Sequence, residues 1–567
     1  MRRAKLAIGP LLAAGAVLTI AGCGGDDQET ATPPAALAPA ESVFYAESVL
    51  RSEGEEREAL ETSLSTVLGE PPGTQIIEEL NSSLAESGFS YEGDLAPWVG
   101  ERGGLFLTAL YEQEVDSVDE TINGAKECID AAEPAEGEDV VGGCAPPPDE
   151  GFSSDGVEGA FVIQSTDEDA AAGFVEKVAA ESDGAEDAEY EGVEYKRDEN
   201  GDAVGVVGDF VVLGSEQGFE AAVDAEAGGA SLADDDAYTG ALGDEEGSTA
   251  TLYADVPAIA ESAEAAGELR ADDRAVFESV FGGAAEQPLT ASVDAAAGGF
   301  GAEFAYGTTD APFLAAAEES ALLRELPGDS WFAAGFSGLG DAVGSLIGSA
   351  ADFGVAEDEI ESTREQFRRE YGLELEDFYE PFGDGAFFAN GEGIFGTGAG
   401  LVVETDDDAA ADRLITGLER AARRSGDQVR PVADRETGAE GFSLTIEDAP
   451  GTVNFIGAED RVVIAYGDGA TTPALTPEKS DGRLGGSDAF AAASEALGED
   501  FAVATYLDFA PLVDLLSLAA AADPSLQQML PYLEPLDFLI AGSASDGERE
   551  RLRMFIGIAA ATVEPSA

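Results

Sequence analysis

The strongest constraint on this chain is that its landmarks occur twice, in the same order, along 567 residues. A Pro-containing entry followed by a short apolar strand opens each series, as LAPAESVFYAESVL from Leu37 and as LPGDSWFAAGFSGL from Leu326. A Pro-aromatic corner then leads into a strand, LAPWVGERGGLFLTAL from Leu95 and YEPFGDGAFFANG from Tyr379. Next, GAFVIQSTDEDAAAGFVEKV from Gly159 answers GAGLVVETDDDAAADRLITGL from Gly398. In both, a strand ends in Thr-Asp and an alanine-rich amphipathic helix begins, with acids where a helix N-terminus favours them. GDFVVLGSEQG from Gly208 pairs with EDRVVIAYGDG from Glu459, and TLYADVPAIAESA from Thr251 with ATYLDFAPLVDLL from Ala504. Each series closes on a hairpin-like pair of strands, LTASVDAAAGGFGAEFAYG and LIAGSASDGERERLRMFIGI.

Such self-similarity implies a body made of two copies of one domain. Period-two strands followed by helices, with Gly turns between adjacent strands, predict an α+β fold. We therefore expect two tandem copies of a mixed, largely antiparallel sheet with helices packed on one face. The first repeat is assigned to residues 40–310 and the second to 323–563, joined by a helical stretch from Ala311 to Glu325. Between the second and third landmarks the first copy is longer, because it carries an acidic insertion over about residues 112–156 that holds Cys128 and Cys144.

The SVFYAESV-type opening strand, the Pro-aromatic corners at Pro97 to Gly100 and Pro381 to Gly383, and the Thr-Asp helix starts together resemble an uncharacterised family of bacterial lipoproteins, known only as a domain of unknown function. The likeness covers most of the chain beyond the N-terminal signal. It implies no reaction, substrate or catalytic residue, and the long insertion departs from the family pattern.

At the N-terminus, Arg2, Arg3 and Lys5 precede the apolar run LAIGPLLAAGAVLTIA and small residues before Cys23. These are the three parts of a secretory signal, assigned to residues 1–22, and the apolar core is shorter than the roughly 20 residues a spanning helix needs. Ile20, Ala21 and Gly22 resemble the lipobox of bacterial lipoproteins. The resemblance implies cleavage before Cys23, lipidation of its thiol, and an extracytoplasmic protein held to a membrane by its N-terminal lipid. Residues 23–39, rich in Gly, Pro, Thr and acids, read as a flexible tether. With Cys23 committed to lipid, Cys128 and Cys144 are left in an oxidising compartment and are expected to form a disulfide, worth roughly 3 kcal/mol in the chain-entropy model.

Charge narrows the partners. Asp plus Glu number 116 against 28 Lys plus Arg, a net of -88, which excludes nucleic acid and leaves membrane lipid through the anchor and a cationic or envelope partner. The absence of His closes Ser-His-Asp and Cys-His nucleophile systems and His-ligated metals. GxSxG, SxxK, CxxC and P-loop motifs are missing as well.

Four weaker signals have structural explanations. Gly391, Gly393 and Gly396 spell GxGxxG but lie between two strand-like runs, where a hairpin loop explains them and no helix N-terminus follows to hold a pyrophosphate. Asp198, Asn200 and Asp202 mimic alternating calcium ligands, yet Ala203 stands where such a loop needs Gly, and DENGD suits a turn between strands. The acidic triplets Asp234 to Asp236 and Asp406 to Asp408 read as helix starts and solvated surface. Trp98 and Trp331 read as core residues more readily than as a sugar platform. No catalytic residue, metal or cofactor is assigned. The leading function is a non-enzymatic, lipid-anchored envelope protein in a binding or scaffold role. The alternatives are a carboxylate-dependent hydrolase of cell-wall glycans, which needs neither His nor Cys, and a calcium-responsive surface module.

Overall fold

The computed structural model describes residues 32–51, parts of 63–85, 88–110, 157–266, 282–308, 320–348 and 357–559, apart from 183, 243–247, 297, 392–395, 406, 427, 434–437, 446–450, 459, 477–481, 521–523 and 548. The signal at 1–22, Cys23, the insertion with Cys128 and Cys144, and most of the Ala311 to Glu325 joint lie outside the described residues. By its internal contacts the chain forms two compact units, mixed in α and β, with the first made mainly of elements up to residue 274 and the second of those after residue 290.

In the first unit β1 (Phe44–Val49), β2 (Val99–Leu110) and β3 (Val157–Ser165) precede helix α1 (Glu168–Glu181). Four short strands follow, β4 (Glu186–Tyr190), β5 (Val193–Arg197), β6 (Asp202–Val207) and β7 (Phe210–Ser215). The unit is completed by α2 (Glu216–Glu226), α3 (Asp236–Leu242), β8 (Ala250–Ala254) and α4 (Val256–Ala266). The strands join antiparallel in the order β4-β5-β6-β7-β3-β2-β1-β8. The β4–β5 turn needs two residues with positive φ, which Glu191 (47°) and Gly192 (91°) supply, as the twist of a two-residue hairpin demands.

The second unit begins with β9 (Leu289–Ala296) and β10 (Gly299–Gly307), then α5 (Ala321–Glu325), β11 (Ser330–Phe336), α6 (Leu339–Gly348), α7 (Glu357–Tyr371) and α8 (Glu376–Tyr379). It continues with β12 (Phe382–Asn390), β13 (Gly398–Thr405), α9 (Asp408–Ser425), β14 (Val429–Ala433), β15 (Glu440–Thr445), β16 (Thr452–Gly457) and β17 (Arg461–Tyr466). The last elements are α10 (Asp468–Leu475), α11 (Asp488–Leu497), β18 (Ala502–Asp508), α12 (Phe509–Ala520), α13 (Pro524–Leu533), β19 (Leu536–Ser545) and β20 (Arg549–Ile558). Its strand order is β9-β10-β20-β19-β18-β11-β12-β13-β17-β16-β15-β14, antiparallel at every pairing from β10 to β14. The hairpin β9–β10, assigned by sequence to the end of the first repeat, thus pairs through β10 with β20.

Helices cover both faces of each sheet, which corrects the expectation of one covered face. The reason is in the strands. β7 is buried almost throughout, so Phe210 and Val212 serve one core with α2 while Val211 and Leu213 serve another with Phe174 and Val175 of α1. In the second unit Val402 and Val463 pack with α5 and α11, and Val403 and Val462 with Leu414 and Ile415 of α9. Continuous apolar runs, in place of strict alternation, are what a two-sided sheet requires.

The tether is also shorter than expected. Residues Pro34–Ala36 form a 3-10 turn, Ala35, Leu37 and Ala38 are buried, and the Gln164 side chain donates to the Thr32 carbonyl at 2.8 Å. Small apolar residues in PAALAP suit a close approach to the sheet, where Pro34 Cβ comes against Gly104.

Candidate functional site

The residues singled out in the sequence resolve into local structure. Asp198 closes the β5–β6 turn: its Oδ1 accepts from the backbone N–H groups of Asn200 (2.8 Å) and Asp202 (3.0 Å), and its Oδ2 from Asn200 Nδ2 (2.9 Å). Both oxygens are therefore used within the turn. Gly391 and Gly396 lie in the β12–β13 connection, where a Cβ on Gly391 would collide with the Gly396 carbonyl; Gly393 is outside the described residues. Asp235 accepts from Ala237 N and Tyr238 N at the start of α3, and Asp234 from the Ser231 hydroxyl. Asp407 caps α9 through Ala409 N (2.9 Å), and the hydrogen bond from Arg413 holds its carboxyl below the usual range. Asp406 lies outside the described residues. Trp98 is buried, donates Nε1–H to the Asp94 carbonyl at 2.7 Å and packs 4.9 Å from the Phe174 ring, while Trp331 is half-buried on β11. Among the described residues no group of three His, Cys, Asp or Glu side chains is placed to hold a metal.

What the structure does bring together is apolar surface: among the described residues the exposed large apolar side chains all lie in the second unit. Residues directly opposite in antiparallel strands share a face. Phe387 of β12 lies opposite Ala334, Ala334 opposite Thr505, Thr505 opposite Ala541, Ala541 opposite Met554, and Met554 opposite Ala302. Leu552 and Phe304, two positions along, lie opposite each other on that same face. It is the face that α9 covers farther along, since Val403 of its core lies opposite Gly385. Away from α9 the cover thins. Phe387 is 48% and Phe304 46% exposed, and Leu552 and Met554 are exposed as well. From β12 to β10 is five interstrand steps, about 24 Å. The small residues Ala334, Thr505 and Ala541 between them are half-buried.

Helices α12 and α13 pack on each other as the connection from β18 to β19, and α12 rests against β11 and β19. Asp514 and Asp523 are the sole charged residues from Phe509 to Leu533. Leu518 and Met529 are each 53% exposed and Tyr532 is 56% exposed. At the base of this helical pair Asp508 caps α12 through Ala510 N at 2.9 Å. Burial pushes its pKa up, the cap opposes, and the nearby Asp537 adds to the rise. No Lys or Arg belongs to the pair. The arrangement has carboxylates at its base, and its exposed side sets Leu518, Met529 and Tyr532 among the polar side chains of Asp514, Ser517, Gln527 and Gln528.

Sequence reading matched ATYLDFAPLVDLL to its partner in the first series and passed over its composition. The signal was there: a run of 25 residues with two charges, in a chain one-quarter charged. The three methionines of the chain are Met1, Met529 and Met554, so both that follow the start lie on this exposed surface, where a flexible thioether adapts to irregular partners.

No curated protein matches the chain. Among solved structures, crystal forms IV and III of TP0453 are similar at 10% and 9% identity, over 50% of this chain and 84% and 82% of theirs, with TM-scores of 0.23 and 0.24, a likeness too low to inform fold or function. A family model matches residues 11–538, and the chain belongs to that family, described as "Protein of unknown function (DUF3352)".

Proposed function

We propose that this protein is a non-enzymatic, lipid-anchored envelope protein, built from two copies of one α+β unit, whose second copy has become a binding surface for an apolar partner. The observation that carries the binding role is the open apolar face of the second unit with the nearly uncharged α12–α13 pair beside it. Monomeric soluble proteins seldom leave such surface contiguous, and where it occurs it usually meets a partner. In a chain of net charge -88, a stretch of 25 residues with only two charges is all the more distinctive.

Several correspondences support the two copies. The order β4-β5-β6-β7-β3-β2-β1-β8 recurs as β14-β15-β16-β17-β13-β12-β11-β18. Pro39 bridges Ser231 as Pro327 bridges Arg483. The Leu232 N–H donates to the Ala38 carbonyl at 2.7 Å, and the Leu484 N–H to the Leu326 carbonyl at 2.8 Å. Tyr238 meets Tyr253 edge-on at 5.3 Å, and Phe490 meets Tyr506 edge-on at 5.3 Å.

The anchor and the extracytoplasmic location rest on the signal and the residues before Cys23. Cell fractionation of the native chain and of Cys23→Ser, with mass spectrometry of the N-terminal peptide, tests them: lipid on Cys23 and release of the variant are expected, and an unmodified, equally soluble pair contradicts the anchor. For the binding role, titration with an environment-sensitive apolar dye should give saturable binding that Phe304→Ser with Leu552→Ser weakens. Equal binding by the variant would remove the sheet face from the account.

A further inference from the structure

We infer that the α12–α13 pair lies in the interfacial layer of a neutral or zwitterionic lipid bilayer, docking the body on the membrane to which its N-terminus is tied. The inference rests on reading the second unit's apolar surface as a binding surface, and it names the partner. Three observations select lipid. First, the pair offers Leu518, Met529 and Tyr532 outward beside Ser517, Gln527 and Gln528, with Leu515, Leu516, Leu526 and Leu530 half-buried, the mixture of hydrocarbon and polar groups that suits an interfacial layer. Second, the corresponding stretch after β8 in the first unit is strongly charged, with Glu261, Glu264, Glu268, Arg270, Asp272, Asp273, Arg274 and Glu278. Asp255 caps α4 through Ala258 N at 3.0 Å, as Asp508 caps α12, so the two helices start alike and differ in what they present. Third, the chain is packed onto the body from Thr32 onward, which leaves a tether from Cys23 that reaches about 30 Å at full stretch. The proposed lipid on Cys23 would keep a bilayer near the chain at a high effective concentration.

Interfacial helices usually carry Lys and Arg that draw them to anionic lipid. This pair has none, and the body it belongs to is strongly anionic. Binding should therefore come from hydrocarbon burial against a background of repulsion, which inverts the usual salt response: an anionic bilayer should bind worse at low salt and recover as salt screens the body.

The test uses the chain from Gly24 onward, which lacks both the signal and the modified cysteine, floated with phosphatidylcholine vesicles. Flotation is expected for this chain. The combined variant Leu518→Asp, Met529→Asp and Tyr532→Asp should bind at least about tenfold more weakly, since each change removes buried hydrocarbon from the interface. All three positions are exposed, and an unchanged circular dichroism spectrum shows that the fold is kept. Tyr532→Trp should keep binding and show a blue-shifted emission quenched by brominated acyl chains. Replacing part of the lipid with phosphatidylglycerol should lower flotation at low salt and restore it at high salt. Dye binding without flotation would overturn the lipid assignment and leave the apolar surface standing. Flotation unchanged in the combined variant would overturn the role of α12–α13. Self-association abolished by the combined variant, with no flotation, would assign the surface to a second copy and overturn the inference. Loss of both dye binding and flotation would sink this inference and the binding role together.

Discussion

The two units solve one architectural problem with different residues. At the core face of the first unit, Tyr45 lies opposite Phe106 and Tyr253; at the matching place in the second, Ala333 lies opposite Phe388 and Tyr506. Ala35 joins the Tyr45 core, whereas Leu323 joins the Ala333 core, so bulk moves from the strand to the covering turn. Two residues on, the difference becomes electrostatic. Glu47 of β1 is buried, takes the Tyr45 hydroxyl and pairs with Arg102, which also donates to the Ser248 carbonyl at 3.1 Å. Gln164 accepts from the Arg102 N–H at 2.9 Å and holds Thr32. The second unit has Gly335 and Asp384 at these positions, with Leu323 packed against Gly335. In the first unit a polar network holds Thr32; at the matching positions of the second, Leu323 packs against Gly335, and the exposed large apolar side chains among the described residues belong to this unit.

The largest effect should come from breaking that network. Arg102→Met leaves Glu47 buried without its cation, a change that typically costs about 3–5 kcal/mol. Trp98 lies in the first unit and Trp331 in the second, so urea unfolding followed in a Trp331→Phe background reports on the first unit alone. A midpoint that does not move would mean the pair is dispensable. Next, Phe106→Ala and Phe388→Ala should each cost about 3–5 kcal/mol, because both rings are buried at matching places. Markedly unequal losses would break the equivalence of the two cores.

The smallest effects are the pH responses, and they should differ in sign. In the first unit burial acts to raise the Asp94 pKa, but hydrogen bonds from Lys177 and Ser90 outweigh it and leave the pKa lowered. Its stabilisation is present above the unfolded value of about 3.9 and lost as pH falls through the folded value; Lys177→Met should flatten that loss. In the second unit Asp508 is pushed up by burial. Its charged form costs stability above the folded pKa, and that cost is relieved as pH falls through it toward the unfolded value of about 3.9; Asp508→Asn should remove the relief. Acid titrations of the two variants in which both slopes shift in the same direction would contradict these assignments.

Much of this was legible beforehand where local chemistry decides structure. The Thr-Asp helix starts became N-caps at Asp167 and Asp407, and DENGD became a turn, because capping and turn formation depend on a few neighbouring residues. Helices on both faces were missed, although β7 carries the evidence in FVVLG, since an apolar run does not announce what covers it. The Glu47–Arg102 pair was out of reach, as its members are 55 positions apart and meet only through the β1–β2 register. The apolar surface was half visible, in the missing charges of Phe509 to Leu533; its continuation over Phe387, Met554, Leu552 and Phe304 needed the pairing of six strands.

The central claim, that the second unit carries the proposed apolar binding surface, is tested most directly by photolabelling the chain from Gly24 onward with a diazirine-bearing acyl probe and mapping the adducts by mass spectrometry. The account predicts adducts in peptides from residues 509–533 and in β10, β12 and β20, with none in residues 256–266. Labelling spread evenly over both units, or concentrated on the first, would contradict it.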